Sequence, residues 1–225
     1  MSPDIVQALV KTIELKDLST AAHTWRVVLY TRALAEEFGI DHNTIERLSL
    51  AAALHDVGKV EIPDQILQKP GKLTDDEFKI IQSHTTLGHE RLVRMGEEDP
   101  ILLNLVRHHH ERLDGKGYPD GLSGDAIPVG ARYFAVIDSF DAMTSVRPYR
   151  HEVGEDAAER ALIELQAGMG NRYWPEAVEV FTKLYHSGKL NWILHYFNDQ
   201  CPVPEFKSAA EIASEAQAAR RAASG

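Results

Sequence analysis

The sequence has little that would cross-link it or anchor it in a membrane. Its single cysteine, Cys201, cannot form a disulfide within the chain, which fits a reducing compartment. No apolar run approaches the roughly 20 residues that span a bilayer, and no basic segment followed by an apolar stretch begins the chain. We therefore expect a cytoplasmic protein that does not enter a membrane.

Positive charge is also scarce. The 24 lysines and arginines are outnumbered by 34 acidic residues, which gives a formal charge of −10. This balance argues against a surface that binds nucleic acid polymers or anionic membranes. A small anionic substrate remains compatible with it, because bound divalent metal ions would concentrate positive charge at one site.

Long stretches with the alternating pattern of β-strands are absent. Apolar residues instead recur every three or four positions, which predicts a nearly all-helical chain. The expected helices run from Ser19 or Thr20 to Gly39, about Asn43 to Gly58, Thr74 to about Gly96, Pro100 to the histidine run, Val129 to Ser145, Asp156 to Gln166 and Pro175 to Tyr185. The segment from Arg112 to Pro128 contains four glycines and two prolines, and it is expected to be a long functional loop.

Three adjacent histidines, His108, His109 and His110, precede this loop in the sequence HHHERLDGKGYPDG. Histidine is a mediocre helix former, and neighbouring imidazoles repel wherever they protonate. The run therefore indicates function rather than folding. Spacing alone leaves open which two of the three would bind a metal ion.

Two acidic residues follow strongly apolar segments. In LAAALHDVGK, Asp56 follows His55, and a buried carboxylate there needs either Lys59 or a metal ion as its partner. In YFAVIDSFDAMTS, Asp138 and Asp141 are about one helical turn apart. These two carboxylates would repel each other unless a cation lies between them or only one faces the core.

Two further histidines, His23 and His84, lie on predicted helices beside apolar or alanine-rich faces, and each alone would more often be structural. Together with the residues above they form a set of nitrogen and carboxylate ligands without thiolate. Such a set suits iron, manganese or zinc rather than a cysteine-built structural zinc site. Because Asp56 lies amid candidate imidazoles, we expect it to bridge two metal ions.

The motifs HDVGKVEIPDQILQKPGKLTDDEF, a histidine at His84, HHERLDGKGYP and DSFDAMTSVRPYR resemble the HD-GYP class of HD-domain metal-dependent phosphohydrolases in order and approximate spacing. The resemblance covers roughly Ser19 to Phe181. It implies an all-α fold, an HD-domain helical bundle with a long GYP loop and C-terminal helices. It also implies a division into an N-terminal helix or linker (1–18), an HD-GYP domain (19–187) and a C-terminal extension that is helical or partly disordered (188–225).

The resemblance further implies two divalent transition-metal ions, iron or manganese. One would be held by His23, His55, Asp56 and Asp138, and Asp56 would bridge to a second held by His84, His109 and His110. His108 is then left outside the ligand set. Some family members bind a third metal ion through a glutamate four residues before the first histidine. Ser19 occupies that position here, so two ions are expected.

The activity that the resemblance implies is hydrolysis of cyclic di-GMP to pGpG, with cleavage to GMP as a further step. Two metal ions would acidify a bridging water to hydroxide, Asp56 would hold both, and Lys59 would bind phosphate or assist the leaving group. Arg147 and Arg150, in RPYR, match positions associated with phosphate binding.

Gly117 and Tyr118 have two explanations under this resemblance. They would form a wall for the nucleotide, or the loop would only hold the histidines in place and offer a surface to partner proteins. Two other classes of function stay open, a cyclic dinucleotide receptor or interaction module with little turnover and a phosphodiesterase for cyclic GMP-AMP. A homodimer is compatible with any of them.

Overall fold

The structure is a computed structural model that describes residues 1–16, 21–145 and 156–196. These residues form eleven α-helices and no β-strand, which confirms the all-α fold. The helices are α1 (Pro3–Lys16), α2 (Ala21–Glu37), α3 (His42–Leu54), α4 (Asp64–Leu67), α5 (Asp75–Gln82), α6 (His84–Arg94), α7 (Pro100–His108), α8 (Val129–Thr144), α9 (Ala157–Ala167), α10 (Pro175–His186) and α11 (Asn191–Tyr196).

The core lies between α2, α3, α7 and α8. Helices α3 and α8 both pack against α2 and α7, while α9 and α10 cover the outer side of α8. Large aromatic side chains fill this space, and all are at most 1% exposed: Trp25, Tyr30, Phe134, Phe140 and Phe181. Burying such a side chain stabilises the fold by roughly 1.5–3 kcal/mol. The bundle therefore supplies a rigid frame for the candidate metal ligands. Most of these ligands lie at or near the ends of its helices.

The helix that precedes the HD pair, His55 and Asp56, ends earlier than the sequence predicts. Helix α3 stops at Leu54, and a 3₁₀ turn (Val57–Glu61) follows, so the expectation of one helix to Gly58 is wrong. A Cβ on Gly58 would lie 1.9 Å from the carbonyl oxygen of His84 and 2.5 Å from the amide nitrogen of Gly88. The turn thus needs glycine because it presses its backbone onto α6, which brings Asp56 towards His84.

The predicted helix from Thr74 to Gly96 is divided in two. The capping box of Thr74 and Glu77 is present at the start of α5, as expected. The chain then breaks at Ser83, whose hydroxyl donates to the carbonyl oxygen of Ile80 at 2.7 Å, a local bond that competes with helix continuation. Helix α6 begins at His84, which is buried at 1% exposure.

The long loop is held from inside by Glu111. Its carboxylate, 3% exposed, accepts hydrogen bonds from the backbone N–H of Asp120 at 2.8 Å and of Leu122 at 3.0 Å. A further backbone bond, from Asp114 N–H to Asn171 O at 2.8 Å, ties the loop to the connection between α9 and α10. The sequence analysis did not single out Glu111, although its position directly after His109 and His110 was a usable signal.

Helix α1 (Pro3–Lys16) lies within the predicted N-terminal segment 1–18. Helix α1 buries Val6, Leu9, Val10 and Ile13 and packs on the 3₁₀ turn and on α3. At the other end, α11 begins the predicted C-terminal extension, while residues 197–225 and Ser19 lie outside the described residues. The domain boundaries stay a prediction. Among the described helices, none has the length and apolar character that a membrane crossing requires.

Replacing Gly58 with alanine tests the close approach between the 3₁₀ turn and α6. Because the added Cβ meets backbone atoms, Gly58→Ala should lower the free energy of unfolding by at least about 3 kcal/mol. Gly96→Ala is the control, since Gly96 has φ +83° and open space around it, and it should cost only about 1 kcal/mol. Urea unfolding of metal-free protein measures both, and equal losses would contradict the packing described here.

Candidate metal centre

The seven predicted metal ligands come together in three overlapping groups. Within each group, one ligand atom per residue lies within 4.8 Å of the others: His84, His109 and His110; His23, His55 and Asp138; and His55, Asp56 and His109. They lie at the ends of α3 and α7, in the first turns of α2 and α6, and in the middle of α8. The bundle therefore gathers into one centre residues that are far apart in sequence.

Three of the imidazoles are held in a defined orientation by backbone carbonyls. Nδ1 of His55, His84 and His109 lies 2.8, 2.7 and 2.9 Å, respectively, from the carbonyl oxygen three residues earlier. Because a carbonyl oxygen only accepts, Nδ1 must carry the proton in the neutral ring, and the lone pair is on Nε2. These Nε2 atoms face the centre.

The Nε2 lone pairs of His84 and His109 face each other. Nε2 of His84 and Nε2 of His109 are 3.3 Å apart, and neither has a proton to donate to the other when Nδ1 is protonated in both rings. Such an arrangement is repulsive on its own. A cation between the rings removes the repulsion, and imidazole together with carboxylate is a donor set that iron, manganese and zinc accept. The residues therefore fit a metal centre.

Asp56 lies between the two halves of the centre. Its Oδ2 is 3.1 Å from Nε2 of His55 and 2.8 Å from Nζ of Lys59, whereas its Oδ1 is 3.4 Å from Nε2 of His84. The two oxygens thus face different imidazoles, as a bridging carboxylate requires. The sequence left Lys59 and a metal ion as alternative partners, and this geometry accommodates both at once.

Burial and neighbouring charges set the protonation of the centre. Burial acts to raise the pKa of Asp56, but His55 and Lys59 outweigh it and hold the pKa well below its usual range. Desolvation lowers the pKa of His84, of His109 and of His110, the last to about 3. Desolvation also acts to lower the pKa of His55, but the charge of Asp56 raises it overall. Most of the imidazoles are therefore neutral, which is the form that binds metal ions.

His108 is directed away from the centre. Its Nδ1 is 3.0 Å from the carbonyl oxygen of Asn104 and its Nε2 is 3.0 Å from Oδ2 of Asp120, which also accepts from Arg107 at 2.8 Å. His109 and His110, in contrast, both pack against His84. His109 and His110 therefore lie among the candidate ligands, and His108 does not.

The two carboxylates of α8 face different surroundings. Oδ1 of Asp138 lies 3.9 Å from Nε2 of His23 and 4.0 Å from Nε2 of His55, towards the centre. Asp141 is fully buried next to Nδ1 of His23, and its Oδ1 accepts from Nε of Arg26 at 2.6 Å. Sequence reasoning missed Arg26, which lies three residues after His23 on a largely apolar helix. Burial acts to raise the pKa of Asp141, but Arg26 and His23 keep it far below its ordinary value.

The GYP loop adds an aromatic wall beside the centre. The ring of Tyr118 lies 4.8 Å from that of His110, and the ring of Phe78, which is 47% exposed, lies edge-on to Tyr118 at 6.4 Å. A Cβ on Gly117 would come within 2.4 Å of the amide nitrogen of Arg112, so glycine is needed for the loop to fold back. Arg147 and Arg150, the other predicted substrate contacts, lie outside the described residues.

The helical bundle and its buried histidine–aspartate cluster define a helical protein with a candidate metal centre. A family model described as HD domain matches residues 7–177, and the chain belongs to that family, which confirms the resemblance in its motifs. HD-domain phosphohydrolases are metal-dependent, and this chain has the histidine and aspartate groups that could hold metal ions.

Individual relatives agree with this family. The chain is 42% identical over 184 residues to a cyclic di-GMP phosphodiesterase of Thermotoga maritima, a match that covers 80% of this chain and 49% of that protein. It is 38% identical over 180 residues to 3′3′-cGAMP-specific phosphodiesterase 2 of Vibrio cholerae, with 80% of this chain and 34% of that protein covered. The chain thus spans about half or less of the length of these relatives.

A solved structure shares the fold. The crystal structure of a cyclic GMP-AMP specific phosphodiesterase of Vibrio cholerae superimposes with a TM-score of 0.61 at 17% sequence identity. The superposition covers 85% of this chain and 50% of that chain. At this level of identity the likeness concerns the fold alone.

The neighbouring histidines provide a matched test of the centre. His109→Ala removes an Nε2 that faces His84, so we expect bound metal to fall from about two ions per chain to about one or fewer. His108→Ala removes a side chain that contacts only the loop and its own helix, and it should retain the wild-type content. Elemental analysis of purified protein measures both variants, and equal losses would contradict the assignment.

Proposed function

We propose that this chain is a metal-dependent phosphodiesterase that hydrolyses cyclic di-GMP to pGpG, with cleavage to GMP as a further step. The observation that carries the proposal is the pair of facing imidazoles of His84 and His109 beside Asp56, whose two oxygens point to different halves of the centre. The cyclic di-GMP phosphodiesterase of Thermotoga maritima, 42% identical, supports this choice of substrate. A cytoplasmic location is part of the proposal.

In this proposal two divalent ions, iron or manganese, occupy the centre. His23, His55 and Asp138 would hold one and His84, His109 and His110 the other. Asp56, whose two oxygens face His55 and His84, would be a ligand shared by both. Neutral imidazoles and carboxylates are ligands that both metals accept. The third ion that some family members bind is not part of the proposal, because Ser19 replaces the glutamate that would hold it.

When bound, the ion pair supplies Lewis acidity towards the phosphate and lowers the pKa of water. The remaining chemistry belongs to the chain. Hydrolysis adds the oxygen of water to phosphorus and breaks the bond from phosphorus to the 3′ oxygen, which leaves with a negative charge and needs a proton. Lys59 Nζ is 2.8 Å from Oδ2 of Asp56, and the Lys59 side chain is 16% exposed. In this proposal Lys59 gives a proton to the leaving 3′ oxygen and recovers one from solvent.

In this proposal the nucleotide is held by the aromatic wall of Phe78 and Tyr118 and by two arginines. The exposed ring of Phe78 and the ring of Tyr118 offer apolar faces to a guanine base. Gly117 sets the position of Tyr118. Arg147 and Arg150 bind phosphate in this proposal, because guanidinium groups match phosphate oxygens in pairs. The outer side of the loop is a candidate surface for protein partners, including a second copy of the chain.

Cyclic GMP-AMP is the second candidate substrate. The observation that favours it is the 38% identity to 3′3′-cGAMP-specific phosphodiesterase 2 of Vibrio cholerae. The two substrates differ in one base and share the phosphodiester, so the same centre could cleave either. Base contacts at the wall would decide between them.

A turnover assay tests the proposal. Protein loaded with iron or manganese under anaerobic conditions should convert cyclic di-GMP to pGpG, with a larger kcat/KM than for cyclic GMP-AMP measured in parallel. Chelated protein should be inactive because the centre has lost its Lewis acid. Tight binding without product would favour a receptor, and full activity of metal-free protein would contradict a metal-dependent reaction.

Lys59→Met tests the proton donor. Methionine is an unbranched side chain one atom shorter than lysine and cannot donate a proton, so kcat should fall by about 10²- to 10⁴-fold while bound metal is retained. Lys189→Met is the matched control, since Lys189 also pairs with a carboxylate, that of Glu37 at 2.9 Å, on an exposed surface. If kcat of Lys59→Met equals that of the control, Lys59 has no part in the reaction.

A further inference from the structure

His23 differs from the other imidazoles in the partner of its Nδ1. His55, His84 and His109 each donate from Nδ1 to a backbone carbonyl, whereas Nδ1 of His23 lies 2.7 Å from Oδ2 of Asp141. Both side chains are buried, at 4% and 0% exposure. A carboxylate is a stronger acceptor than a carbonyl, so it holds the ring that donates to it more firmly in one orientation.

The other partners of Asp141 hold its carboxylate in this contact with His23. Arg26 donates to it twice, from Nε to Oδ1 at 2.6 Å and from a terminal nitrogen to Oδ2 at 3.1 Å. The hydroxyl of Ser145 lies 3.0 Å from Oδ2. Oδ2 therefore faces His23, Arg26 and Ser145 and Oδ1 faces Arg26, whereas Oδ1 of Asp138, on the same helix, lies 3.9 Å from Nε2 of His23.

We infer that Asp141 is a positioning residue of the metal centre. It fixes His23 with the proton on Nδ1, so that the lone pair of Nε2 faces Asp138 and His55, and Arg26 holds Asp141 in place. Asp141 acts on the metal only through His23. This inference concerns metal binding alone, so it holds or fails independently of the substrate proposed above.

The substitution Asp141→Asn tests this role because an amide has only one acceptor oxygen. If the amide nitrogen took the Oδ1 position, it would face the donor of Arg26 at 2.6 Å, a costly contact. An amide nitrogen in the Oδ2 position is less unfavourable, since the nearest Arg26 nitrogen is 3.1 Å away there. The imidazole of His23 can accept from that amide nitrogen if its own proton moves from Nδ1 to Nε2. The ring would then carry its proton on Nε2, where the metal ion must bind.

The experiment titrates Mn²⁺ into chelated full-length protein by calorimetry. In Asp141→Asn, we expect one of the two sites to bind about 10- to 100-fold more weakly and the other to stay within about threefold of wild type. The matched control is Asp99→Asn, because Asp99 also forms a two-bond pair with an arginine, Arg47, but contacts no imidazole. The control should keep both affinities.

A second measurement reads the position of the proton without metal. Long-range ¹H–¹⁵N correlation spectra at pH 9, well above the ordinary imidazole pKa of about 6.5, distinguish the two neutral forms, and a His23→Gln spectrum identifies the His23 signals. Wild type should show Nδ1–H and Asp141→Asn should show Nε2–H. A purely structural role for Asp141 would leave this proton unmoved.

Two results would overturn the inference. One is wild-type Mn²⁺ affinity at both sites in Asp141→Asn. The other is an Nε2–H form of His23 in the wild-type protein, which decides the matter even if the variant does not fold.

Discussion

Two buried imidazole nitrogens face each other across 3.3 Å in this protein, and neither has a proton to share. The contact between His84 and His109 is unfavourable alone, and backbone carbonyls prevent either ring from relieving it by moving its proton. A positive charge at this point would remove the repulsion. The structure thus contains a place that suits a cation, and Asp56 lies beside it with one oxygen directed to each half of the centre.

The fold is arranged to maintain that contact. Gly58 allows the turn after the HD pair to lie against the backbone of α6, and the break at Ser83 lets α6 begin with His84 pointing inward. On the other side, α7 ends just before His109, and Glu111 binds the backbone of the following loop. Local backbone features, rather than the hydrophobic core alone, therefore place the ligands.

Much of this could be predicted from sequence. The period of apolar residues indicates an all-α bundle, and the HD pair, His84 and the histidine run resemble a known family closely enough to predict seven ligands, which the structure brings together. What sequence could not show depends on contacts between distant segments. The pairing of Arg26 with Asp141, 115 residues apart, is one such contact, and it explains why two carboxylates one turn apart do not repel. The end of α3 at Leu54 is another, since it depends on α6 approaching Gly58.

The central claim is that the facing imidazoles and Asp56 hold two metal ions. Anomalous diffraction from crystals grown with Mn²⁺ tests it most directly, because it locates each ion without reference to activity. The account predicts two peaks, one among the Nε2 atoms of His84, His109 and His110 and one among His23, His55 and Asp138, with an oxygen of Asp56 next to each. No peak at this cluster, or manganese bound only beside His108 and Asp120, would contradict it.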